Sequence, residues 1–139
     1  MILVDTGVLF AAADPTDDDH HACAEFLSSA RLTDEDMLLP ATVGTEVGYL
    51  LQTRIGPHAE TAFAVGVAEG DFVPVDLTLM DYRRIGELLE RYDDLPLGIT
   101  DASVIALAER LGIHEIATLD HRHFRVVRPN HVDAFTLLP

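Results

Sequence analysis

The chain has 139 residues, of which 48% are hydrophobic, and this length and composition are typical of a single folded domain, expected to span residues 1–139. Its one cysteine cannot form an internal disulfide, and no apolar run reaches the roughly 18 to 20 residues of a membrane-spanning helix, so we expect a soluble cytoplasmic protein without a membrane segment. The formal net charge of −15 opposes nucleic-acid binding at long range, and the absence of lysine excludes mechanisms that need a side-chain amine.

Apolar runs of strand length alternate along the chain with longer segments of helical period. In chain order the pattern predicts strand 2–4, helix 8–13, helix 20–30, strand 37–39, helix 40–54, helix 58–69, strand 72–75, helix 79–92, helix 100–111, strand 116–119 and strand 126–127. Strands separated by helices imply right-handed crossovers between parallel strands. The predicted fold class is therefore α/β, with a mainly parallel sheet and helices on both of its faces.

Four acidic residues stand in apolar surroundings, whereas most of the other acids lie in polar runs typical of solvated loops. Asp5 ends the opening strand of MILVDTG, and Asp120 ends the strand of EIATLD. Glu46 and Asp101 fall on the apolar stripes of their helices, so neither should face bulk water. Both also lie near a helix N-terminus, where capping or the helix dipole is the alternative explanation. Strand ends of this kind form the usual binding edge of a parallel sheet.

A cluster of buried, unpaired carboxylates is unstable, because each is costly to desolvate and like charges raise one another's pKa. Arginine or a divalent cation could neutralise such a cluster. Oxygen ligands without cysteine favour Mg²⁺ or Mn²⁺, and this ligand set supports metal-assisted hydrolysis of phosphodiesters. We therefore predict that Asp5, Glu46, Asp101 and Asp120 are catalytic residues and metal ligands.

The same four segments resemble a known family, the PIN domain nucleases, and within it the VapC-type toxins of bacterial toxin-antitoxin pairs. ILVDTGVLFAAAD is similar to the family's opening strand, and IATLDHRHF to the strand end with its fourth acid. TEVGYLL and GITDASVIALAERLG are similar to the helices that carry the second and third acids. The resemblance extends over the whole chain, and it implies a single PIN domain with three α/β/α layers.

The resemblance also implies an activity and partners. It indicates an endoribonuclease toxin of a type II toxin-antitoxin system that holds Mg²⁺ or Mn²⁺ at the four acids, with Thr6 and Thr118 as supporting hydroxyls. Water rather than the RNA 2′-hydroxyl would be the nucleophile, which predicts 5′-phosphate products. The expected partners are RNA, an antitoxin that inserts an arginine into the site, and a second copy of the chain in a homodimer. His123 departs from the family pattern, because many relatives have a further acid at that position.

Basic residues follow the fourth acid closely and could offset the charge of the chain near the site. Arg122, Arg125 and Arg128 are predicted to bind RNA, since phosphate contacts supply most non-specific affinity for nucleic acid. The alternative is that these arginines pair with surface acids. His121 and His123 flank the same strand end, where they either ligate the metal or lie exposed in a loop.

Two other functions stay open at this stage. A metal-dependent hydrolase of a small phosphoester would use the same acids, and a non-catalytic module would use them to bind a basic peptide. Loss of one acid would abolish hydrolysis but leave most peptide binding intact. A dehalogenase-like phosphatase is excluded, because it needs a lysine and a second acid at the position where this chain has Gly7.

Overall fold

The computed structural model describes residues 1–139, which form five strands and seven helices. In chain order these are β1 Ile2–Val4, α1 Thr6–Ala13, α2 His20–Leu32, β2 Met37–Pro40, α3 Ala41–Arg54, α4 Pro57–Ala68, β3 Val73–Val75, α5 Leu79–Arg91, α6 Ile99–Leu111, β4 Glu115–Ala117, α7 His121–Val126 and β5 Thr136–Leu138. No helix is long and apolar enough to cross a membrane.

The five strands form one parallel sheet in the order β3-β2-β1-β4-β5. The first strand is central, and its Leu3 is in register with Leu38 of β2 and with Ile116 of β4. From β1 the chain moves outward to β2 and β3, and it then crosses to the other side for β4 and β5. The direction of winding therefore reverses between β1 and β4, which makes the carboxyl ends of these two strands the expected site for a ligand.

Helices cover both faces of the sheet, as the sequence predicted. Right-handed crossovers place α1 to α4 on one face and α5 to α7 on the other. Most contacts between helices follow this division, because α1 packs against α2 and α3, α3 packs against α4, and α5 packs against α6. Helix α3 also contacts α6 of the other face. The predicted α/β class with three layers is confirmed.

The core is centred on the first two strands and on α6. All residues of β1 and β2 are buried, which explains why these strands appear in the sequence as continuous apolar runs. Residues 102–108 of α6 are likewise buried through seven consecutive positions, so this helix has core on more than one side. Its small alanines allow that close approach, and the central position of α6 fixes the residues of its first turn.

Two of the sequence predictions near the C-terminus are wrong. Residues 126–127 do not form a strand, because Val126 ends α7 and is half exposed while Val127 follows the helix and is buried. The fifth strand lies instead at Thr136–Leu138, where no strand was predicted, and it pairs with β4 at the edge of the sheet. The strand predicted at 116–119 is also shifted, since β4 ends at Ala117.

Candidate active site

Asp5 lies directly after β1, at the point where the winding of the sheet reverses. It is the N-cap residue of α1, and one carboxylate oxygen accepts a hydrogen bond of 2.8 Å from the backbone N–H of Thr6. The other oxygen accepts one of 2.7 Å from the Thr118 hydroxyl, which follows β4. Asp5 is 5% exposed, so the prediction that this carboxylate is buried is confirmed.

Thr118 connects two of the predicted acids. Its fully buried hydroxyl donates to Asp5 and accepts a hydrogen bond of 3.0 Å from the backbone N–H of Asp120. Asp120 itself does not end a strand as expected, because it lies three residues beyond β4 and is the N-cap residue of α7. An aspartate before a short polar helix is a usual N-cap signal, which the strand prediction overlooked.

Asp101 lies in the first turn of α6, where one carboxylate oxygen accepts a 3.4 Å hydrogen bond from the backbone N–H of Gly98. Its side chain is 21% exposed, in agreement with the prediction that it does not face bulk water. The first turn of α6 is tied to α3 by a hydroxyl pair that sequence reasoning missed, since the oxygens of Ser103 and Thr42 are 2.6 Å apart. Nothing in the hydrophobic pattern marks these two residues.

Glu46 differs from its prediction, because its side chain is exposed. On α3 the buried positions are Val43, Val47 and Leu51, and Glu46 lies beside this stripe rather than within it. Glu46 nevertheless lines the same cleft as the other three acids. The helix therefore presents this carboxylate at the wall of an open cleft instead of burying it.

The cleft has a volume of about 610 Å³ and is open to solvent along one side. It is lined by Asp5, Thr6, Gly7, Glu46, Leu50, Asp101, Leu119 and Asp120. The structure thus brings all four predicted acids to one cavity. Thr6 contributes its backbone N–H to Asp5, while its own hydroxyl is buried without a hydrogen-bond partner at the cleft wall.

The pKa values of two of these acids reflect the crowding of negative charge. Burial raises the pKa of Asp5 from 3.8 to about 6, and the carboxylates of Asp101 and Glu46 add to this rise. Burial also raises the pKa of Asp101, with a further contribution from the carboxylates of Asp120 and Glu46. Both effects disfavour the charged form in the absence of a cation, which is the expected property of a cation-binding cluster.

His123 is part of this cluster, although the sequence left its role undecided. It lies on α7 rather than in a loop, its side chain is 14% exposed, and its Nδ1 contacts a carboxylate oxygen of Asp120 and lies 3.5 Å from one of Asp101. The candidate ligand atoms of these three residues all lie within 4.8 Å of one another. His121, in contrast, turns toward Arg125, whose Nη2 is 3.4 Å from its Nδ1.

The three arginines predicted to bind RNA lie on or just after α7. Arg122, Arg125 and Arg128 are all exposed, and none of them forms an ion pair with an acidic residue of the chain. The alternative that they neutralise surface acids is therefore not observed. Their guanidinium groups are available to an external anion, and α7 itself begins after the cleft residue Asp120.

Comparison with known proteins agrees with this geometry. The PIN domain family matches residues 2–129, which include every acid of the cleft. The chain belongs to the PIN domain family. Among curated proteins, it is 31% identical to ribonuclease VapC26 of Mycobacterium tuberculosis over 138 residues, a match that covers 99% of this chain and all of the relative. The resemblance to VapC-type proteins is thereby confirmed.

Solved structures show the same PIN fold. The crystal structure of VapC20 from Mycobacterium tuberculosis, a toxin that cleaves the sarcin-ricin loop, has a TM-score of 0.79 and 22% identity, and the match covers 88% of this chain and 92% of that one. VapBC2 from Rickettsia felis, bound to a DNA fragment from its promoter, has a TM-score of 0.69 and 16% identity over the full length of both chains. FitAcB from Neisseria gonorrhoeae has a TM-score of 0.58 and 19% identity, with 85% and 86% of the two chains covered.

Proposed function

We propose that this PIN domain protein is a Mg²⁺- or Mn²⁺-dependent endoribonuclease and the toxin of a type II toxin-antitoxin pair. The observation that carries the proposal is the convergence of Asp5, Glu46, Asp101 and Asp120 on one cleft at the reversal point of the sheet. The 31% identity to a VapC ribonuclease over the whole chain supports the same activity. Its substrate would be cytoplasmic RNA.

The residues of the cleft fit a divalent cation. Asp5 is almost completely buried beside other carboxylates, an arrangement that is stable in its charged form only with a positive partner. No arginine forms an ion pair with any of the four acids, so the protein itself supplies no guanidinium for this purpose. Thr6, which also lines the cleft, has a buried hydroxyl without a hydrogen-bond partner.

Each residue then has a role in the hydrolysis of a phosphodiester. When bound, a divalent cation lowers the pKa of water and stabilises the charge that develops on phosphate oxygens. Asp5 and Asp101 would hold the cation, while Asp120 and the exposed Glu46 would complete its ligand set or orient water. Thr118 is a positioning residue, because its hydroxyl fixes the Asp5 carboxylate in place. The arginines of α7 would hold the RNA phosphates beside the cleft.

An antitoxin partner is supported by an apolar groove on the helical face of α1 to α4. Ten of its thirteen lining residues are hydrophobic, including Leu9, Leu27, Leu51 and Phe63. Asp5 caps helix α1 at the acidic cleft, and the same helix contributes Leu9 to the groove, so a bound segment could reach both. We propose that the antitoxin fills this groove with apolar side chains and extends an arginine to the acids. A homodimer is also part of the proposal, and light scattering would test it.

The decisive experiment incubates the purified protein with RNA in the presence of Mn²⁺ or Mg²⁺ and maps the ends of the products. Asp5→Asn and Asp101→Asn should each remove most cleavage, whereas Asp18→Asn, in an exposed loop away from the cleft, should not. The products should carry 5′-phosphate and 3′-hydroxyl ends, and a 2′-O-methyl group at the cut nucleotide should not prevent cleavage. Products with 2′,3′-cyclic phosphate ends would refute hydrolysis by water.

The same assay separates the two alternative functions. A hydrolase of small phosphoesters would turn over p-nitrophenyl phosphate in the presence of Mn²⁺ but leave RNA intact. A non-catalytic module would bind a basic peptide with little change on Asp101→Asn and would cleave neither substrate.

A further inference from the structure

The acidic cleft borders one buried nitrogen donor, Nδ1 of His123. This atom is shielded from solvent and makes no hydrogen bond of normal geometry, but it contacts a carboxylate oxygen of Asp120 and lies 3.5 Å from one of Asp101. A neutral imidazole nitrogen and two carboxylates all offer lone pairs, so their close approach is favourable only if a proton or a cation lies between them. Its surroundings therefore call for a third group that binds nitrogen and carboxylate oxygen together.

The start of α7 determines the direction of this imidazole ring. Asp120 is the N-cap residue and His123 the third residue of the helix, the two positions whose side chains and backbones face each other in a capping box. One carboxylate oxygen of Asp120 accepts a 3.1 Å hydrogen bond from the backbone N–H of His123, and the other contacts its ring. The local helix start thus places an imidazole where it faces Asp101 across the cleft wall.

We propose that Nδ1 of His123 is a direct ligand of the divalent cation, together with the carboxylates of Asp101 and Asp120. The candidate ligand atoms of these three residues lie within 4.8 Å of one another, close enough to share one ion. The inference rests on the proposed metal-dependent function only for the presence of a cation at the cleft. It assigns to this chain a nitrogen ligand at the position where many relatives have a further acid.

A nitrogen ligand changes the selectivity of the site. Mg²⁺ takes oxygen ligands almost exclusively, whereas imidazole is a good ligand for first-row transition ions. The protein should therefore favour Mn²⁺ over Mg²⁺ by a larger factor than its carboxylates alone would give. Replacing the imidazole by a carboxylate, in His123→Asp, should reduce the ratio of Mn²⁺ to Mg²⁺ affinity measured by calorimetric titration.

The test uses the full chain labelled with ¹⁵N-histidine and loaded with Mn²⁺ alone, without RNA. Pulsed electron paramagnetic resonance of the bound Mn²⁺ detects directly coordinated histidine nitrogen. The native protein should show this coupling, His123→Gln and His123→Asp should lose it, and the control His121→Gln should retain it. Because His121 lies on the same helix and contacts Arg125 rather than the acids, it controls for general effects on α7.

Several outcomes would overturn the proposal. These are an absence of nitrogen coupling in the native Mn²⁺ complex, retention of that coupling in His123→Asp, and an absence of Mn²⁺ binding. A protein in which His123 only pairs with the acids as an imidazolium would cleave RNA without nitrogen coupling, which contradicts this inference but not the nuclease function. Mn²⁺ binding with nitrogen coupling and no cleavage would leave the ligand assignment in place and refute the nuclease.

Discussion

Asp5 is the residue at which the proposed function and the stability of the protein conflict most clearly. Its carboxylate is 5% exposed and has its pKa raised to about 6, mainly by burial. At 1.36 kcal/mol per pKa unit, the rise from 3.8 corresponds to a cost of roughly 3 kcal/mol for the charged form at pH 7. A cation would offset this cost, so the site is more stable when loaded.

We predict that Asp5→Asn stabilises the metal-free protein at pH 7 while it abolishes metal-dependent cleavage. The buried charge is removed, and the amide oxygen can still accept the hydrogen bond from the Thr6 backbone. The amide nitrogen cannot accept the hydrogen bond that Thr118 donates to the carboxylate, which offsets part of the gain in stability. The free energy of unfolding, measured with urea in the presence of a chelator, should rise by up to roughly 3 kcal/mol. In the comparison variant Asp5→Ala the N-cap of α1 is lost as well. This loss costs about 1 kcal/mol and should make the rise in the free energy of unfolding smaller.

The pH dependence of stability follows from the direction of the Asp5 pKa shift. Between pH 3.8 and about 6, the folded protein holds a proton on Asp5 that the unfolded chain releases. The stability contributed by this proton is therefore fully present at low pH and is lost as the pH rises through the interval. Urea unfolding of the metal-free protein at a series of pH values should show this decline. In Asp5→Asn the decline should be smaller, and an unchanged profile would contradict the assigned pKa.

The strands and helices that the sequence predicts best are those whose burial is simplest. The strand 2–4 and the strand at 37 onward are fully buried, so their continuous apolar runs mark them clearly. The strand Thr136–Leu138 is only three residues long and partly exposed at the sheet edge, so its sequence carries neither alternation nor a long apolar run. Its existence depends on pairing with β4, which local sequence does not encode.

The site shows the same division between local and tertiary information. The burial of Asp5 is predictable, because a strand that is apolar throughout carries its next residue into the core. The exposure of Glu46 is not, since a position next to the stripe can turn either toward the core or into a cleft. The pairing of Ser103 with Thr42 arises from a contact between two helices that are distant in the chain. The placement of His123 arises from a helix cap. Hydrophobic periodicity reports neither kind of contact.

Thr118 connects three elements, and we predict that Thr118→Val uncouples them. Its hydroxyl joins the carboxylate after β1 to the backbone N–H of the residue that caps α7. Valine has a similar shape but leaves both groups without a partner, which should cost roughly 1 to 3 kcal/mol. The pKa of Asp5 should also rise further, because the lost hydrogen bond favours the charged form.

Urea unfolding and Mn²⁺ titration of this variant measure both effects. Mn²⁺ affinity at pH 7 should decrease, because protons compete more strongly for the carboxylate. Thr118→Ser retains the hydroxyl and is the matched control, with affinity close to that of the native protein. Equal Mn²⁺ affinities of the valine and serine variants would show that the hydroxyl does not position Asp5.

RNA binding by a chain of net charge −15 requires a local basic surface. The three arginines on or after α7 form no ion pairs with acids, so each can contact a phosphate. We predict that replacing all three with alanine weakens RNA binding and makes the slope of log affinity against log salt less negative by about 2, at roughly 0.7 per phosphate contact. Filter binding in the Asp5→Asn background would measure this without cleavage.

A single arginine elsewhere serves as the control for net charge. Arg31 lies at the end of α2 and pairs with Asp71 at 3.2 Å, at the edge of the sheet opposite the cleft. The variant Arg31→Ala should leave the salt slope unchanged. If it reduced the slope as much as a single substitution at Arg122, Arg125 or Arg128, the affinity would depend on overall charge rather than on the surface beside the cleft.

We predict that a charge in the apolar groove weakens binding of the proposed antitoxin without affecting the acidic cleft. Ala62 lines the apolar groove from α4, and its exposed position allows a larger side chain without disturbance of the core. Ala62→Asp places a charge where apolar side chains would dock, so antitoxin binding measured by calorimetry should weaken while RNA cleavage without antitoxin stays unchanged. The control Ala64→Asp adds the same charge to the same helix outside the groove and should bind antitoxin normally.

On the antitoxin, replacing the proposed arginine with alanine should restore cleavage more than it weakens binding, because the apolar segment supplies most of the buried area. Full nuclease activity in a saturated complex would show that the antitoxin does not block the acids.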